Sequence, residues 1–354
     1  MKNIYLSIPE IKSGKRFAVA TIIETEGSTP QKAGSSALFT ETGLFAGTIG
    51  GGVLEGRVKE LAAEAIVSYR TGIYRFNLDY DISFKQDAIC GGNATVLVDV
   101  FTAGKRSVFE KIKRSLDKGL PGVLVTVINS RERENINSGR FWVTSAQKSG
   151  LPEEYSDIII REAEGLLLSP GQGNSAGKVM YPDKSDSSVR IMFEPLFPPD
   201  KLIIAGAGHI GKVLAHIGSL LDFDVTVIDD RPEFASRENI PDADQIIVDD
   251  IGEALGRIDI RQDTFVVVVT RGHNDDAKAL KACVNSDAAY LGMIGSRIKV
   301  EQMHQSFIEN GWTTEERWSA VHAPVGLEIN SRTVEEIVIS IAAQLILTRN
   351  SEKR

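Results

Sequence analysis

A glycine-rich loop between an apolar run and a helical pattern constrains the fold of this chain most strongly. The loop, Gly206-Ala207-Gly208-His209-Ile210-Gly211, follows residues 202–205 and opens the pattern 209–221, and the next apolar run ends at Asp229. In this setting the first glycine permits a tight turn, the second lets a pyrophosphate approach and the third lets the helix pack. The sequence therefore predicts a Rossmann unit in which Asp229 binds a ribose hydroxyl.

Apolar strands and helices alternate through the rest of this half of the chain. Further strands are predicted at 245–248 and 265–269, and later helices at 274–283, 299–310 and 333–347. The last helix opens with a capping box, Thr333-Val334-Glu335-Glu336. Continuous apolar strands separated by helices indicate a parallel sheet covered on both faces. We predict a C-terminal Rossmann-like domain over residues 200–354.

The first half of the chain has a different pattern of apolar and turn residues. The apolar and turn patterns predict strands at 17–23, 94–101 and 122–128, a hairpin of 36–40 with 44–49, a helix from Val53 towards Gly72, and a helix at 108–116. The short runs 141–143 and 158–160 are also predicted strands. Prolines 195, 198 and 199 mark a joint. The predicted fold class is α/β: an α+β domain over 1–196, followed by the Rossmann-like domain with its parallel sheet.

Composition excludes several classes of protein. A net charge of −8 argues against nucleic acid as the main partner, and no apolar run approaches the length of a membrane span. The first residues lack a signal peptide, so a soluble, cytoplasmic protein without membrane contact is expected. Two cysteines, Cys90 and Cys283, make no disulfide framework and have no zinc-ligand pattern, so no metal site is predicted. A homodimer is expected because twofold dimers are the commonest assemblies.

A second glycine run precedes a helical pattern near the start of the chain. In Gly47-Thr48-Ile49-Gly50-Gly51-Gly52, consecutive glycines allow backbone N–H groups to converge on a bound anion. The helix N-terminus behind them adds unpaired donors and a positive dipole end. Glu55 lies in the first turn, where its carboxylate either favours the helix dipole or accepts hydrogen bonds from the polar edge of a ring ligand.

One cysteine stands beside two further glycines. Cys90-Gly91-Gly92 directly precedes the predicted strand 94–101. A thiol in that position is suited to hold sulfur, to ligate a metal or to contact a cofactor, and equally to pack as a small buried hydrophobe. Cys283, by contrast, shares a helix face with Ala277 and Leu280 and is predicted to be part of the core.

The Rossmann half carries further candidate ligand contacts, with alternatives. The glycines serve the turn even if no nucleotide binds, and Arg231 beside Asp229 suits a 2′-phosphate, so NAD and NADP are not distinguished. In the loop Thr270-Arg271-Gly272-His273, Arg271 and His273 are candidates to face an anion or carry a proton. The alternative is that Asn274 caps a helix while Arg271 and His273 make surface hydrogen bonds.

Another loop ends in a serine and an arginine. Ser296 and Arg297 close the sequence Leu291-Gly292-Met293-Ile294-Gly295-Ser296-Arg297, which leaves an apolar strand and enters a helix. Because the carboxyl ends of parallel strands share one edge of a sheet, this loop is expected to add to the same anion site.

Taken in order, these motifs resemble the XdhC/CoxI family, the xanthine dehydrogenase accessory factors. The resemblance covers nearly the whole chain. It is carried by Gly27-Ser28-Thr29-Pro30 with Gly34, the 47–52 run with Glu55, Cys90-Gly91-Gly92, the 206–211 loop, Thr270-Arg271-Gly272-His273, Ile294-Gly295-Ser296-Arg297 and Ala323-Pro324-Val325-Gly326-Leu327.

The resemblance implies a maturation factor rather than an enzyme. Such a chaperone binds molybdenum cofactor (molybdopterin), protects it while a cysteine desulfurase supports its sulfuration, and delivers it to a xanthine dehydrogenase-like apoenzyme. The residues it implies around the cofactor are Gly50, Gly51, Gly52, Glu55, Cys90, Gly91 and Gly92. Val53 stands where many relatives have a cysteine, which leaves Cys90 as the candidate thiol. The alternative is an NAD(P)-dependent oxidoreductase that uses the 206–211 loop and Asp229.

Overall fold

The chain folds into two compact units, Lys2–Pro198 and Pro199–Arg354. The computed structural model describes residues 4–11, 14–78, 92–101, 107–131, 136–168, 177–183 and 185–351. The first unit combines antiparallel sheets with helices, and the second contains one parallel sheet. The predicted fold class is confirmed.

The N-terminal unit contains two antiparallel sheets. A five-stranded sheet in the order β3-β2-β1-β5-β4 consists of β1 (Phe17–Gly27), β2 (Ser36–Thr40), β3 (Gly43–Gly47), β4 (Gly72–Asn77) and β5 (Gly92–Phe101). A four-stranded sheet in the order β7-β6-β9-β8 consists of β6 (Gly122–Asn129), β7 (Asn137–Val143), β8 (Lys178–Met180) and β9 (Val189–Leu196). Its helices are α1 (Ile4–Ser7), α2 (Gly52–Ser68), α3 (Ser107–Leu116) and α4 (Ser156–Leu168), with 3-10 turns at Ile8–Glu10 and Glu153–Tyr155.

The strand predicted at 158–160 is wrong, because these residues lie inside α4. Three apolar residues of that helix, Ile159, Ala163 and Leu166, are buried at helical spacing. They belong to one hydrophobic cluster with Val123 and Phe193 of the four-stranded sheet. Burial of this helical stripe against the sheet outweighs the strand preference of three consecutive isoleucines.

Helix α2 fixes the position of the second glycine run. Its residues Leu54, Val58 and Ala62 are buried in one cluster with β1, β2 and β5. Because the helix begins at Gly52, the glycines immediately before it lie between the end of β3 and this packed helix. The helix ends before Tyr69, which adopts a left-handed conformation with φ 58°.

A buried ionic cluster joins the two sheets of the N-terminal unit. Arg140 on β7 lies 3.3 Å (Nε to Oδ2) from Asp99 on β5, and both side chains are almost fully buried. The hydroxyls of Thr71 and Ser138 donate to Asp99 Oδ1 at 2.9 and 2.8 Å. Tyr5 donates its hydroxyl hydrogen to Glu194 Oε1 on β9 at 2.6 Å. The cluster thus contains one cation and two carboxyl groups away from water.

We expect Glu194 to give the N-terminal unit a pH-dependent stability. Burial raises the pKa of this carboxyl, and attraction to Arg140 and the Tyr5 hydrogen bond oppose the shift without cancelling it. A folded-state pKa above the unfolded one means that the stabilisation is complete below the unfolded pKa and is lost as pH rises through the folded pKa. The urea concentration at the midpoint of unfolding of the wild type should therefore fall as pH rises from about 4.

The variant Glu194→Gln should flatten that pH dependence, since its side chain is neutral throughout. Glu164→Gln, at an exposed pair with Lys148, serves as the control and should keep the wild-type profile. Unchanged pH dependence in Glu194→Gln would show that this carboxyl does not titrate with unfolding.

The C-terminal unit has the strand order of a dinucleotide-binding fold. Its six-stranded parallel sheet has the order β12-β11-β10-β13-β14-β15. The strands are β10 (Lys201–Ala205), β11 (Asp224–Asp229), β12 (Gln245–Val248), β13 (Thr264–Val268), β14 (Tyr290–Met293) and β15 (Val321–His322). The helices are α5 (His209–Leu220), α6 (Ile251–Arg257), α7 (His273–Cys283), α8 (Arg297–Glu309), α9 (Glu315–Ser319) and α10 (Val334–Ser351). Strand order reverses between β10 and β13, where such sheets bind ligands.

Two local predictions for this unit are confirmed. The capping box before α10 is present: Glu336 N–H donates to Thr333 Oγ1 at 3.2 Å, and Thr333 N–H donates to the Glu336 carboxylate at 3.1 Å. Cys283 is 1% exposed and lies in the hydrophobic core. Burial raises the pKa of its thiol to about 12, so this sulfur is an unreactive packing group.

Two features are absent from the described residues. No helix there combines the length and apolar character that crossing a membrane requires. No group of three or more His, Cys, Asp or Glu side chains is arranged in that part of the chain to hold a metal ion.

Candidate functional site

The glycine run before α2 adopts a backbone that residues with a side chain rarely take. Gly50, Gly51 and Gly52 have φ values of 119°, 68° and 60°. A Cβ added at Gly50 would lie 2.7 Å from Pro30 Cβ, whereas one at Gly51 or Gly52 would meet nothing within 4 Å. Gly50 therefore packs against the neighbouring loop, and the backbone of Gly51 and Gly52 borders open space.

Some N–H groups of this run are already bonded and others are not. Gly50 N–H donates to Thr48 Oγ1 at 3.1 Å. The first N–H groups of a helix have no intrahelical acceptor, and within the described ranges no residue accepts from those of Gly51 and Gly52. These two donors, at the positive end of the α2 dipole, form a cradle suited to an anion. We call Gly50, Gly51 and Gly52 the glycine cradle.

The Glu55 carboxylate is hydrogen-bonded to the segment that leads into the glycine cradle. Its Oε2 accepts the Thr48 hydroxyl at 2.6 Å and Ile49 N–H at 3.3 Å. Both contacts fix the backbone that leads into Gly50. Glu55, a ligand contact predicted from the sequence, is thus bonded to the loop itself.

One loop links the cradle to the start of β5. Pro30 contacts Gly50, and the backbone of Ser28 packs against Gly92, where an added Cβ would lie 2.8 Å from the Ser28 carbonyl oxygen. Gly27 pairs directly with Gly92 across β1 and β5. Two motifs that are distant in the sequence therefore border the same loop. The predicted site residues Cys90 and Gly91, which precede Gly92, lie outside the described residues.

The three glycines of the Rossmann loop have different environments. A Cβ on Gly206 would lie 2.5 Å from the Val269 carbonyl oxygen, and one on Gly211 would lie 1.9 Å from the Gly206 carbonyl oxygen. At Gly208 an added Cβ would meet nothing within 4 Å. Close packing thus requires Gly206 and Gly211, whereas Gly208 faces open space at the N-terminus of α5.

The Asp229 carboxylate is saturated by internal donors. Its Oδ2 accepts Ala207 N–H of the glycine loop at 2.7 Å and Arg231 Nη2 at 2.9 Å. Its Oδ1 accepts the backbone N–H and Nε of Arg231 at 3.0 and 2.8 Å. Burial favours protonation of Asp229, but these hydrogen bonds and the Arg231 charge outweigh it and lower the pKa. In this state the carboxylate braces the glycine loop, and a ribose hydroxyl would have to displace Arg231.

The remaining candidates lie in the loops after β13 and β14. Arg271 makes surface ion pairs, with Asp230 (Nη2 to Oδ2, 2.8 Å) and with Asp275 (Nε to Oδ2, 3.3 Å). His273 is exposed and begins α7. The cap of this helix is Gly272, so the alternative prediction that Asn274 caps it is wrong.

Ser296 and Arg297 have local structural contacts. Ser296 caps α8, because its Oγ accepts Lys299 N–H at 3.2 Å. Arg297 is 84% exposed and donates to Glu328 at 3.1 Å. Arg297 therefore reaches the segment after β15 and not the 206–211 loop.

Three interacting side chains beside these loops, of which only Asp276 is buried, carry no signal in the sequence. Asp276 on α7 is fully buried and accepts the Thr270 hydroxyl at 2.6 Å. Lys299 on α8 pairs with the same carboxylate. The trio fastens the loop after β13 to the loop after β14. No sequence signal indicated it, since an acidic residue in a first helical turn is ordinarily solvated.

Family models match both units of the chain. The XdhC Rossmann domain matches residues 202–345, and the XdhC and CoxI family matches residues 10–77. The chain belongs to the XdhC and CoxI family. The resemblance carried by the sequence motifs is thereby confirmed.

Two curated relatives span most of the chain, and a third matches part of it. A probable xanthine dehydrogenase subunit of Bacillus subtilis (strain 168) is 26% identical over 99% of this chain and 98% of its own length. The "Molybdenum cofactor insertion chaperone PaoD" of Escherichia coli (strain K12) is 21% identical over 97% of this chain and 86% of its own length. The "Uncharacterized protein YqeB" of the same E. coli strain is 34% identical, but the match covers 43% of this chain and 28% of that relative.

A solved structure shares the architecture. A crystal structure described as a xanthine dehydrogenase from Bacillus halodurans superposes with a TM-score of 0.76 and 25% sequence identity. The match covers 99% of this chain and 96% of that one. Both units of the fold therefore occur together in that solved structure.

Proposed function

We propose that this protein is a maturation factor that binds molybdenum cofactor, supports its sulfuration and delivers it to a xanthine dehydrogenase-type hydroxylase. The observation that carries the proposal is the glycine cradle with its open donors at Gly51 and Gly52. Family membership and the name of the relative PaoD support the choice of cargo. A cysteine desulfurase and the apoenzyme are the expected partners, and a homodimer is the expected assembly.

The proposed chemistry is recognition followed by release. The terminal phosphate of the pterin cargo accepts hydrogen bonds from Gly51 and Gly52, and the α2 dipole favours its charge. Glu55 keeps these donors aligned through Thr48 and Ile49. We assign Cys90 as the thiol that guards the molybdenum while the cysteine desulfurase supports sulfuration of the cofactor.

We expect Gly51→Asp to weaken the binding of isolated molybdopterin by more than about tenfold. The substitution forces a side chain into the φ 68°, ψ −169° backbone of this helix cap and adds a negative charge beside the phosphate. A tenfold loss corresponds to about 1.4 kcal/mol. Fluorescence titration measures the affinity, and circular dichroism verifies the fold.

Gly56→Asp is the matched control for this test. Gly56 has open space around it and lies in α2 five residues later, so the same charge enters outside the cradle. It should bind molybdopterin as the wild type does. The proposal fails if the wild type shows no binding, or if Gly51→Asp combined with Cys90→Ala binds as tightly as the control.

An NAD(P)-dependent oxidoreductase is the second candidate. The strand order of the C-terminal unit and the open position at Gly208 favour it. The saturation of Asp229 by Arg231 weighs against recognition of a ribose diol. Calorimetric titration with NAD and NADP separates the candidates, because micromolar binding of either one corresponds to about 8 kcal/mol and would favour the oxidoreductase.

A further inference from the structure

An ion pair runs across the carboxyl ends of three neighbouring strands in the C-terminal unit. Asp230 follows β11 and Arg271 lies after β13, while the strand between β11 and β13 is β10. All three strands are parallel, so their carboxyl ends lie along one edge. The 2.8 Å contact from Arg271 Nη2 to Asp230 Oδ2 therefore spans the end of β10, from which the glycine loop emerges.

The glycine loop lies directly beside this bridge. A Cβ on Gly206 would lie 2.5 Å from the Val269 carbonyl oxygen and 3.1 Å from Thr270 Cα, so the loop after β10 touches the segment that carries Arg271. On the other side, Ala207 N–H donates to Asp229, the residue before Asp230. A pyrophosphate in a Rossmann fold lies over this loop, at the point where strand order reverses.

We propose that Arg271 and Asp230 form a strap that closes the Rossmann crevice and opens when a phosphate-bearing ligand enters. On opening, the Arg271 guanidinium leaves Asp230 and donates to the ligand phosphate. The inference rests on nucleotide binding by the 206–211 loop, as in the second candidate function, and we call this loop the ligand platform. It adds a gate to that platform. Asp230 opposes ligand binding because it holds Arg271 in the closed position.

The charges and exposure of the strap suit a gate. Arg271 and Asp230 are 52% and 44% exposed, so their attraction is screened and the pair is weak. Asp275 lies 3.3 Å from Arg271 Nε and anchors the side chain on α7 while the far end of the guanidinium is free to change partner. Arg271 donates one hydrogen bond to Asp230 through Nη2. A guanidinium can donate two parallel hydrogen bonds to phosphate oxygens, so a diphosphate is a better partner for Arg271 than the Asp230 carboxylate.

Calorimetric titration of the full chain with ADP tests the strap. Asp230→Asn should bind ADP roughly fivefold more tightly than wild type, since opening no longer breaks an ion pair. Arg271→Gln should bind ADP at least about tenfold more weakly, because the phosphate loses its charged donor. Asp259→Asn is the matched control: Asp259 is an exposed carboxylate paired with Arg261 just before β13, at the opposite edge of the sheet. It should match the wild type.

The outcomes separate the strap from the ligand platform. If wild type and Asp230→Asn bind ADP equally, or if Arg271→Gln binds as tightly as wild type, the strap is overturned while the platform stands. If neither the wild type nor Asp230→Asn binds ADP, the platform and the strap both fail. Equal tightening in Asp259→Asn would assign the effect to net charge and overturn the strap.

Discussion

Replacing Arg140 by methionine should destabilise the N-terminal unit by about 3–5 kcal/mol. Arg140 is the cation of the buried cluster, and its side chain is 3% exposed. Without it, the carboxyl groups of Asp99 and Glu194 stay in an apolar interior with no opposing charge. Methionine retains much of the side-chain volume, so the loss of stability reflects removal of the charge and not creation of a cavity.

Hydrogen exchange of the β6 and β7 amides across a urea series measures this change within the N-terminal unit alone. The control is Arg57→Met, since Arg57 forms an exposed pair with Glu60 on α2. Exposed pairs contribute little, so this variant should stay within about 0.5 kcal/mol of wild type. A loss below about 1 kcal/mol in Arg140→Met would mean that the cluster does not depend on its cation.

Gly211→Ala should destabilise the C-terminal unit by about 3 kcal/mol or more. The added Cβ would lie 1.9 Å from the Gly206 carbonyl oxygen and 3.4 Å from the Ile204 side chain. The first of these atoms belongs to backbone held between β11 and β13, so relief requires α5 to move off the sheet. Thermal unfolding followed by exchange of the β10 amides reports the loss.

Gly208→Ala tests the same loop without the clash. Its Cβ meets nothing within 4 Å, and its φ of −69° suits any residue. Stability should therefore stay within about 0.5 kcal/mol of wild type, while ADP affinity should fall because the methyl group occupies the approach to the loop. Equal stability of Gly211→Ala and Gly208→Ala would contradict the packing role assigned to Gly211.

The sequence predicted the strands and helices that flank both glycine runs. Alternating apolar strands and helices indicated the Rossmann-like unit, because a strand buried on both faces must be apolar throughout its length. The helical spacing after residue 52 predicted α2, and the same logic placed Cys283 in the core. The β-branched run at 158–160 predicts a strand, but these residues are helical. Packing of Ile159 and Leu166 against the four-stranded sheet decided that segment.

Only the tertiary structure determined which residues pair with the charged side chains. Tyr5, Asp99, Arg140 and Glu194 are far apart in the sequence, and no local pattern marks them as neighbours. Asp229 was predicted to face a ribose, yet Arg231 and Ala207 occupy its oxygens. Periodicity records which face of an element is buried, and glycine spacing records where the backbone must turn. The partner of a polar side chain depends on elements brought together from distant parts of the chain, so folding alone determines which donors remain for a ligand.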